Sequence, residues 1–176
     1  MLIKNDLISV RDFSETDIAN KVEWINNNAN NEYLHYDIPL SYDKTLAWFK
    51  NKNNSNRCDC VIEYDGIPVG LIGLLSIDNL HQKAEYYISM GNTEFKRKGI
   101  ATTATKLILS YAFDDLKLHK VYLNVDADNI AACRLYEKVG FVCEGFFKDD
   151  LMHRGKFIDR KRYAILKDNY YEVKTV

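Results

Sequence analysis

Residues 67–77, IPVGLIGLLSI, are apolar on both of the faces a strand presents, and Asp65-Gly66 stands directly before them. A strand of this kind has to be covered on each side, so it belongs at the centre of a sheet with layers above and below. Asp-Gly between two apolar runs marks a tight hairpin turn, because such turns need positive φ at their central residues. The partner run is Cys58 to Tyr64, which puts Cys58 and Cys60 on one strand face as core thiols.

The remaining elements build outward from that hairpin. Leu7 to Arg11 reads as a first strand, and Ser14 with Asp17 three residues on opens a helix to about Asn26. A second helix is expected from Ser41 to Lys50, and a strand from Ala84 to Met90. After Gly99, residues Ala104, Leu107, Ile108, Tyr111 and Ala112 recur at the spacing of one buried helical stripe. Lys120 to Val125 alternates as a strand with Val121, Leu123 and Val125 on one face. A short helix begins at Asp128 and Asn129 and ends at Gly140, a natural C-terminal cap. Strands at Phe141 to Phe147 and Arg160 to Leu166 follow. This order predicts an α/β (α+β) fold with a mixed, mostly antiparallel central sheet flanked by helices. No linker divides the chain, so residues 1–176 are expected to form a single domain.

Bulk properties remove several function classes. A chain of 176 residues can bury a core without disulfides or metal. The net charge of -1 gives no basic excess for nucleic acid or an anionic membrane. No apolar run approaches the roughly 18 residues that cross a bilayer. The start, MLIKNDLISVRDF, carries charges inside any signal-peptide core, so the cytoplasm is the default compartment. Cys58, Cys60, Cys133 and Cys143 form no C-x-x-C pair, and the four histidines show no ligand spacing, so no metal is expected.

The segment YYISMGNTEFKRKGIATTATKLILSYAF carries the chemistry. A strand runs into a short basic turn that opens directly onto an amphipathic helix. Helix N-termini expose unpaired N–H groups and the positive end of the macrodipole. Gly99 lets the backbone approach an anion, and Lys96, Arg97 and Lys98 surround it with charge, which makes a pyrophosphate cradle. By itself this is also how an ordinary basic loop caps an ordinary helix. The next segment, HKVYLNVDADNIAACRLYEKVGFVCEG, places Asn129 and Tyr136 two turns apart on one helix face.

With both motifs present, the chain resembles the GCN5-related N-acetyltransferase (GNAT) superfamily. KRKGIA at 96–101 is similar to the Arg/Gln-x-x-Gly-x-Gly/Ala pyrophosphate loop, with Lys96 in place of Arg or Gln. Asn129 followed by LYEKVGF at 135–141 is similar to the family's second motif. The resemblance extends from LISVRDF to AILKDNYY and points to the branch of ribosomal-protein alanine, spermidine and nucleotide-amino-sugar acetyltransferases. It implies acetyl-CoA as cosubstrate, bound by amides from Arg97 to Thr102 (including Gly99, Ile100 and Ala101). Ile88 to Met90 would pair with the pantetheine arm, and Asn129 would hydrogen-bond it.

In the same reading, Tyr136 stands near the sulfur and hydrogen-bonds the departing thiolate. Glu85 is the candidate base, in balance with a role as a salt-bridged surface glutamate, and Asp126 is a weaker one. Trp24, Tyr33, His35 and Tyr36 are candidates for the acceptor pocket, against a role in aromatic packing under the first two helices. The acids of that region, Glu23, Glu32, Asp37 and Asp43, are interspersed with aromatic and asparagine residues, a character that suits a sugar or neutral small amine slightly better than a polycation. A small-molecule amine ranks first, a protein N-terminus second, and a catalytically silent CoA-binding regulatory module stands as the alternative from another class. A homodimer, common among such proteins, is a further expectation.

Overall fold

A computed structural model describes residues 2–174. Eight strands form one sheet: β1 (Leu2–Asn5), β2 (Ile8–Asp12), β3 (Cys58–Tyr64), β4 (Ile67–Asp78), β5 (Lys83–Met90), β6 (Lys120–Asp126), β7 (Val142–His153) and β8 (Lys156–Leu166). Their spatial order is β1-β2-β3-β4-β5-β6-β8-β7. All neighbours are antiparallel except β5 and β6. The helices are α1 (Ile18–Asn26), α2 (Tyr42–Asn51), α3 (Ile100–Ser110), α4 (Ile130–Val139) and α5 (Lys167–Lys174). No helix among the described residues is long and apolar enough to cross a membrane.

The doubly apolar β4 is central, as its sequence requires, and Val69 to Leu74 are all buried. Strand alternation sends neighbouring residues to opposite layers. Cys60, Ile62, Ile72 and Leu74 meet Ala104, Ile108 and Leu109 of α3 in one core. Val61 and Leu71 meet Ile18, Trp24 and Ile25 of α1 in the other. The Cys58 and Cys60 sulfurs lie 3.3 Å apart on their shared face, with Cys60 buried and Cys58 half-buried.

Four elements depart from the sequence-based expectation. β1 is paired with β2 in a hairpin through the Asp6 turn, where the charges of LIKN masked a short edge strand. β7 and β8 extend far beyond 141–147 and 160–166, meeting at the Arg154-Gly155 turn, where both residues have positive φ. Most of β7 is exposed, so apolar alternation was a poor guide to its length. α5 was missed because its polar sequence, KDNYYEVK, is held only by tertiary contacts such as Tyr170 on Phe113. Ser14 and Asp17 form the expected capping box, although the first turn is a 3-10 helix and the α-helix starts at Ile18.

The pairing of β5 with β6 positions the site. It covers only Lys83–Lys120, Ala84–Val121 and Glu85–Tyr122. Beyond Glu85 the two parallel strands diverge, leaving the β5 edge from Tyr86 to Met90 without a strand partner on that side. A cavity borders that wedge.

Candidate active site

The cavity measures about 800 Å³ and lies between the diverging strands, α3, α4 and the loop after α1. At one end the turn at 96–99 leads into α3. Gly99 has φ 76° and Arg97 φ 65°, so the turn curls through the left-handed region twice. Such a turn points successive N–H groups inward as an anion-binding nest. No atom would crowd a Cβ on Gly99; its φ is what calls for glycine. The first intrahelical bond runs from the Thr103 N–H to the Gly99 carbonyl at 3.1 Å. The amides of Ile100, Ala101 and Thr102 precede it and belong to the unpaired first turn. Arg97, Gly99, Ile100, Ala101 and Thr102 all line the cavity.

Lys96 lines the same end, but its ammonium is bonded to the Asn30 side chain at 2.9 Å and the Ala29 carbonyl at 3.3 Å. It fastens the loop after α1 to the cradle as well as lending it charge. The Lys98 side chain is absent from the wall; its ammonium sits 4.7 Å from the Phe95 ring centre. Asn129 caps α4, its side-chain oxygen accepting the Ala132 N–H at 3.2 Å. The cap commits that oxygen and leaves the side-chain NH2 as the donor available to a ligand.

Tyr136 lies one helix face along from Asn129 and is 7% exposed. Its ring is fixed by Tyr86, Phe141 and Tyr163, with centroids 5.9–6.1 Å away. Tyr86 is in turn held by its hydroxyl on Thr105 at 2.8 Å. Burial pushes the Tyr136 phenol well above its ordinary value, so it keeps its proton and can act as a hydrogen-bond donor.

The cavity wall also holds three carboxylates, with Arg160 opposite one of them, Asp126. Glu85 sits at the fork of β5 and β6, where Asn124 donates to it at 3.2 Å. Asp126, 5% exposed, lies 3.0 Å from His35 Nε2, and Glu32 completes the set. Of the four acids of the N-terminal region, only Glu32 reaches the wall; Glu85 and Asp126 come from strands remote in sequence. Tyr33, His35, Tyr36, Ile88 and Met90 line the cavity. Trp24 does not. A Cβ on Gly91 would lie 2.0 Å from its ring, so Trp24 is packed flat on that backbone in the core.

Sequence reasoning gave no role to His153 or Arg160. The His153 ring stands 4.8 Å from His35, and Arg160 faces Asp126 across β6 and β8. Strand pairing brings them in, and no local signal carries that register. His153 Nε2 and Arg160 Nε are buried without a hydrogen-bond partner among the described residues.

A second cavity of about 170 Å³ adjoins the first, sharing Leu34, Tyr36, Leu75, Tyr87, Ile88 and Ser89 with it. Its far wall holds Lys21, Arg57 and Asp59. Asp59 accepts two bonds from Arg57, one from Lys52 and one from the Tyr87 hydroxyl. Lys21, 9% exposed, sits 3.6 Å from the Trp48 ring centre and has no hydrogen-bonded carboxylate among the described residues. Burial, helped by Arg57 and Lys52 and opposed by Asp59, lowers its pKa from 10.5 to about 8. Between those values the folded chain binds fewer protons here than the unfolded one, so stability rises with pH across that window. Urea unfolding of wild type and Lys21→Met at pH 8 and 9.5 is expected to show a pH-dependent gain of roughly 1–3 kcal/mol in wild type that the variant lacks.

Comparison with known proteins gives one consistent family. Residues 8–142 match the acetyltransferase (GNAT) domain model. Spermidine N(1)-acetyltransferase of Escherichia coli (strain K12) is 32% identical over 151 residues, which cover 85% of this chain and 81% of that protein. The crystal structure of Vibrio cholerae spermidine N-acetyltransferase in complex with CoA and spermine superposes with a TM-score of 0.86 at 30% identity, covering 95% of this chain and 99% of that one. A dodecameric structure of the Vibrio cholerae enzyme superposes at 0.81, also at 30% identity, with 94% and 97% covered.

Proposed function

This chain belongs to the GNAT acetyltransferase family and is an acetyl-CoA-dependent N-acetyltransferase, and from that premise we propose that its acceptor is the primary amine of a small molecule, an amino sugar or a polyamine. The carrying observation is that one cavity is lined by cations and helix-end amides beside the 96–99 turn and by carboxylates around the β5–β6 fork. Arg97, Lys96 and the α3 amides suit the phosphates of the cosubstrate, while Glu32, Glu85 and Asp126 suit an ammonium group. The free β5 edge from Tyr86 to Met90 offers backbone groups to the pantetheine amides between them.

When bound, acetyl-CoA supplies the thioester carbonyl that the amine attacks. The chain's own work is to take and give protons. An alkylammonium, with a pKa of about 10 by analogy with lysine, must lose a proton before its nitrogen can attack. Glu85 takes that proton in our reading, at the fork of β5 and β6. The C–N bond then forms as the C–S bond breaks, the nitrogen's second proton passes to the departing thiolate, and Tyr136 donates a hydrogen bond to that sulfur. One observation favours a second reading of the base. The His35 imidazole lies 3.0 Å from Asp126 in the same wall, and an imidazole oriented by a carboxylate is a common general base. Glu85→Gln is expected to lower kcat/KM about 10²-fold, and His35→Gln less than tenfold. The reverse order would transfer the role to the His35–Asp126 pair.

The function is tested by following thiol release from acetyl-CoA with spermidine, amino sugars and alanine-starting peptides. Release with small amines supports the proposal. A peptide outpacing all of them would make the acceptor a protein N-terminus, and acetyl-CoA binding without release would make the chain a regulatory module.

We further propose self-association through the β7–β8 hairpin. β7 is an edge strand, and Phe146, Met152 and Phe157 on this hairpin are 56–63% exposed. An exposed edge bearing large apolar side chains is what a second copy covers.

A further inference from the structure

We infer that the second cavity is an acceptor pocket for an acidic group, so that the preferred substrate is a primary amine carrying a carboxylate or phosphate. This rests on the transferase reading and narrows it. Lys21, Lys52 and Arg57 bring three cations to this corner, and Asp59 is its only buried carboxylate among the described residues. Asp59 is already engaged by Arg57, Lys52 and Tyr87. Lys21 is left with the faces of Trp48, Phe13 and Tyr36, at 3.6, 5.6 and 5.9 Å to their centres.

Aromatic faces stabilise an ammonium only in part, and Asp59 acts on Lys21 through space only, its hydrogen bonds being taken by Arg57, Lys52 and Tyr87. Lys21 lies on the wall of a cavity, so an incoming anionic group can supply what the protein omits. The two cavities adjoin along Tyr36, Tyr87, Ile88 and Ser89, with the carboxylates Glu85 and Asp126 in the larger one. One molecule can therefore place its ammonium among the acids and its acidic group beside Lys21. A polyamine tail directed into the second cavity would meet like charge instead.

The test uses matched amines on the full chain with acetyl-CoA: glucosamine 6-phosphate against glucosamine, 6-aminohexanoate against 6-aminohexanamide, and spermidine. The acidic member of at least one pair is expected to have a kcat/KM at least tenfold higher, and the pair that responds identifies phosphate or carboxylate. Lys21→Met should bring that ratio near one and Lys21→Arg should retain it, with acetyl-CoA affinity measured in each to show the fold intact. A wild-type ratio near one in both pairs, or a ratio that survives Lys21→Met, overturns the proposal. Silence with every amine bears on the transferase reading, and the pocket is then read by calorimetry with CoA present. Tenfold tighter binding of an acidic member that Lys21→Met abolishes sustains it, and equal binding of both members in each pair overturns it.

Discussion

Tyr136→Phe is expected to lower kcat about 10²-fold while leaving the affinity for acetyl-CoA within a factor of about two. The phenol is nine-tenths buried, and burial holds its pKa well above the ordinary value. A thiol ordinarily ionises near pH 8.5, so full proton transfer from this phenol to a thiolate runs uphill. What the hydroxyl supplies is a hydrogen bond that strengthens as charge builds on sulfur. Bonds to charged groups are worth about 1.5–3 kcal/mol, and the upper part of that range corresponds to about 10²-fold. Phenylalanine keeps the ring that packs on Tyr86, Phe141 and Tyr163, so the fold should survive. Single-turnover acetyl transfer at saturating amine checks this, and a kcat within threefold of wild type would remove Tyr136 from the chemistry.

Asp59→Asn is expected to cost about 3 kcal/mol of stability, lowering Tm by roughly 6–12 °C. The carboxylate side chain is 4% exposed and is bonded to Arg57, Lys52 and Tyr87. Asparagine keeps the shape but leaves Lys21, Lys52 and Arg57 without their shared anion. Burial alone would raise the Asp59 pKa, yet Arg57 and Lys52 outweigh it and hold the carboxyl below its usual range. The sign follows from that direction. Stability from Asp59 is full above the ordinary carboxylate range and is lost as pH falls through the lower folded value. The gap between wild type and variant should therefore be widest near pH 7 and close under strong acid, which thermal melts at several pH values will show. A shift below 2 °C at pH 7 would mean that this charge cluster contributes little.

Much of the cavity wall around the 96–99 turn was legible in the chain itself. Gly99 and the residues of the turn act through backbone conformation and helix-end amides, which are consecutive in sequence. Asn129 and Tyr136 share a face because helical periodicity puts them there. The core of β3 and β4 was equally plain, since a strand apolar on both faces has one place to go. Trp24 misled because an aromatic residue beside a pocket region carries no mark of which way it packs; Gly91, 67 positions later, settled it.

The sequence by itself determined the family, the sheet's centre, the left-handed turn at the start of α3 and the shared face of Asn129 and Tyr136, because each is a local pattern of backbone or periodicity. Only the tertiary structure decided where the carboxylates and the buried lysine gather. Glu32, Glu85 and Asp126 meet because β5 and β6 part after Glu85, and Lys21 meets Trp48, Arg57 and Asp59 because α1 and α2 close over β3. Charges brought together from distant segments interact through the low-dielectric interior that folding creates, and no stretch of the chain carries that environment before it folds.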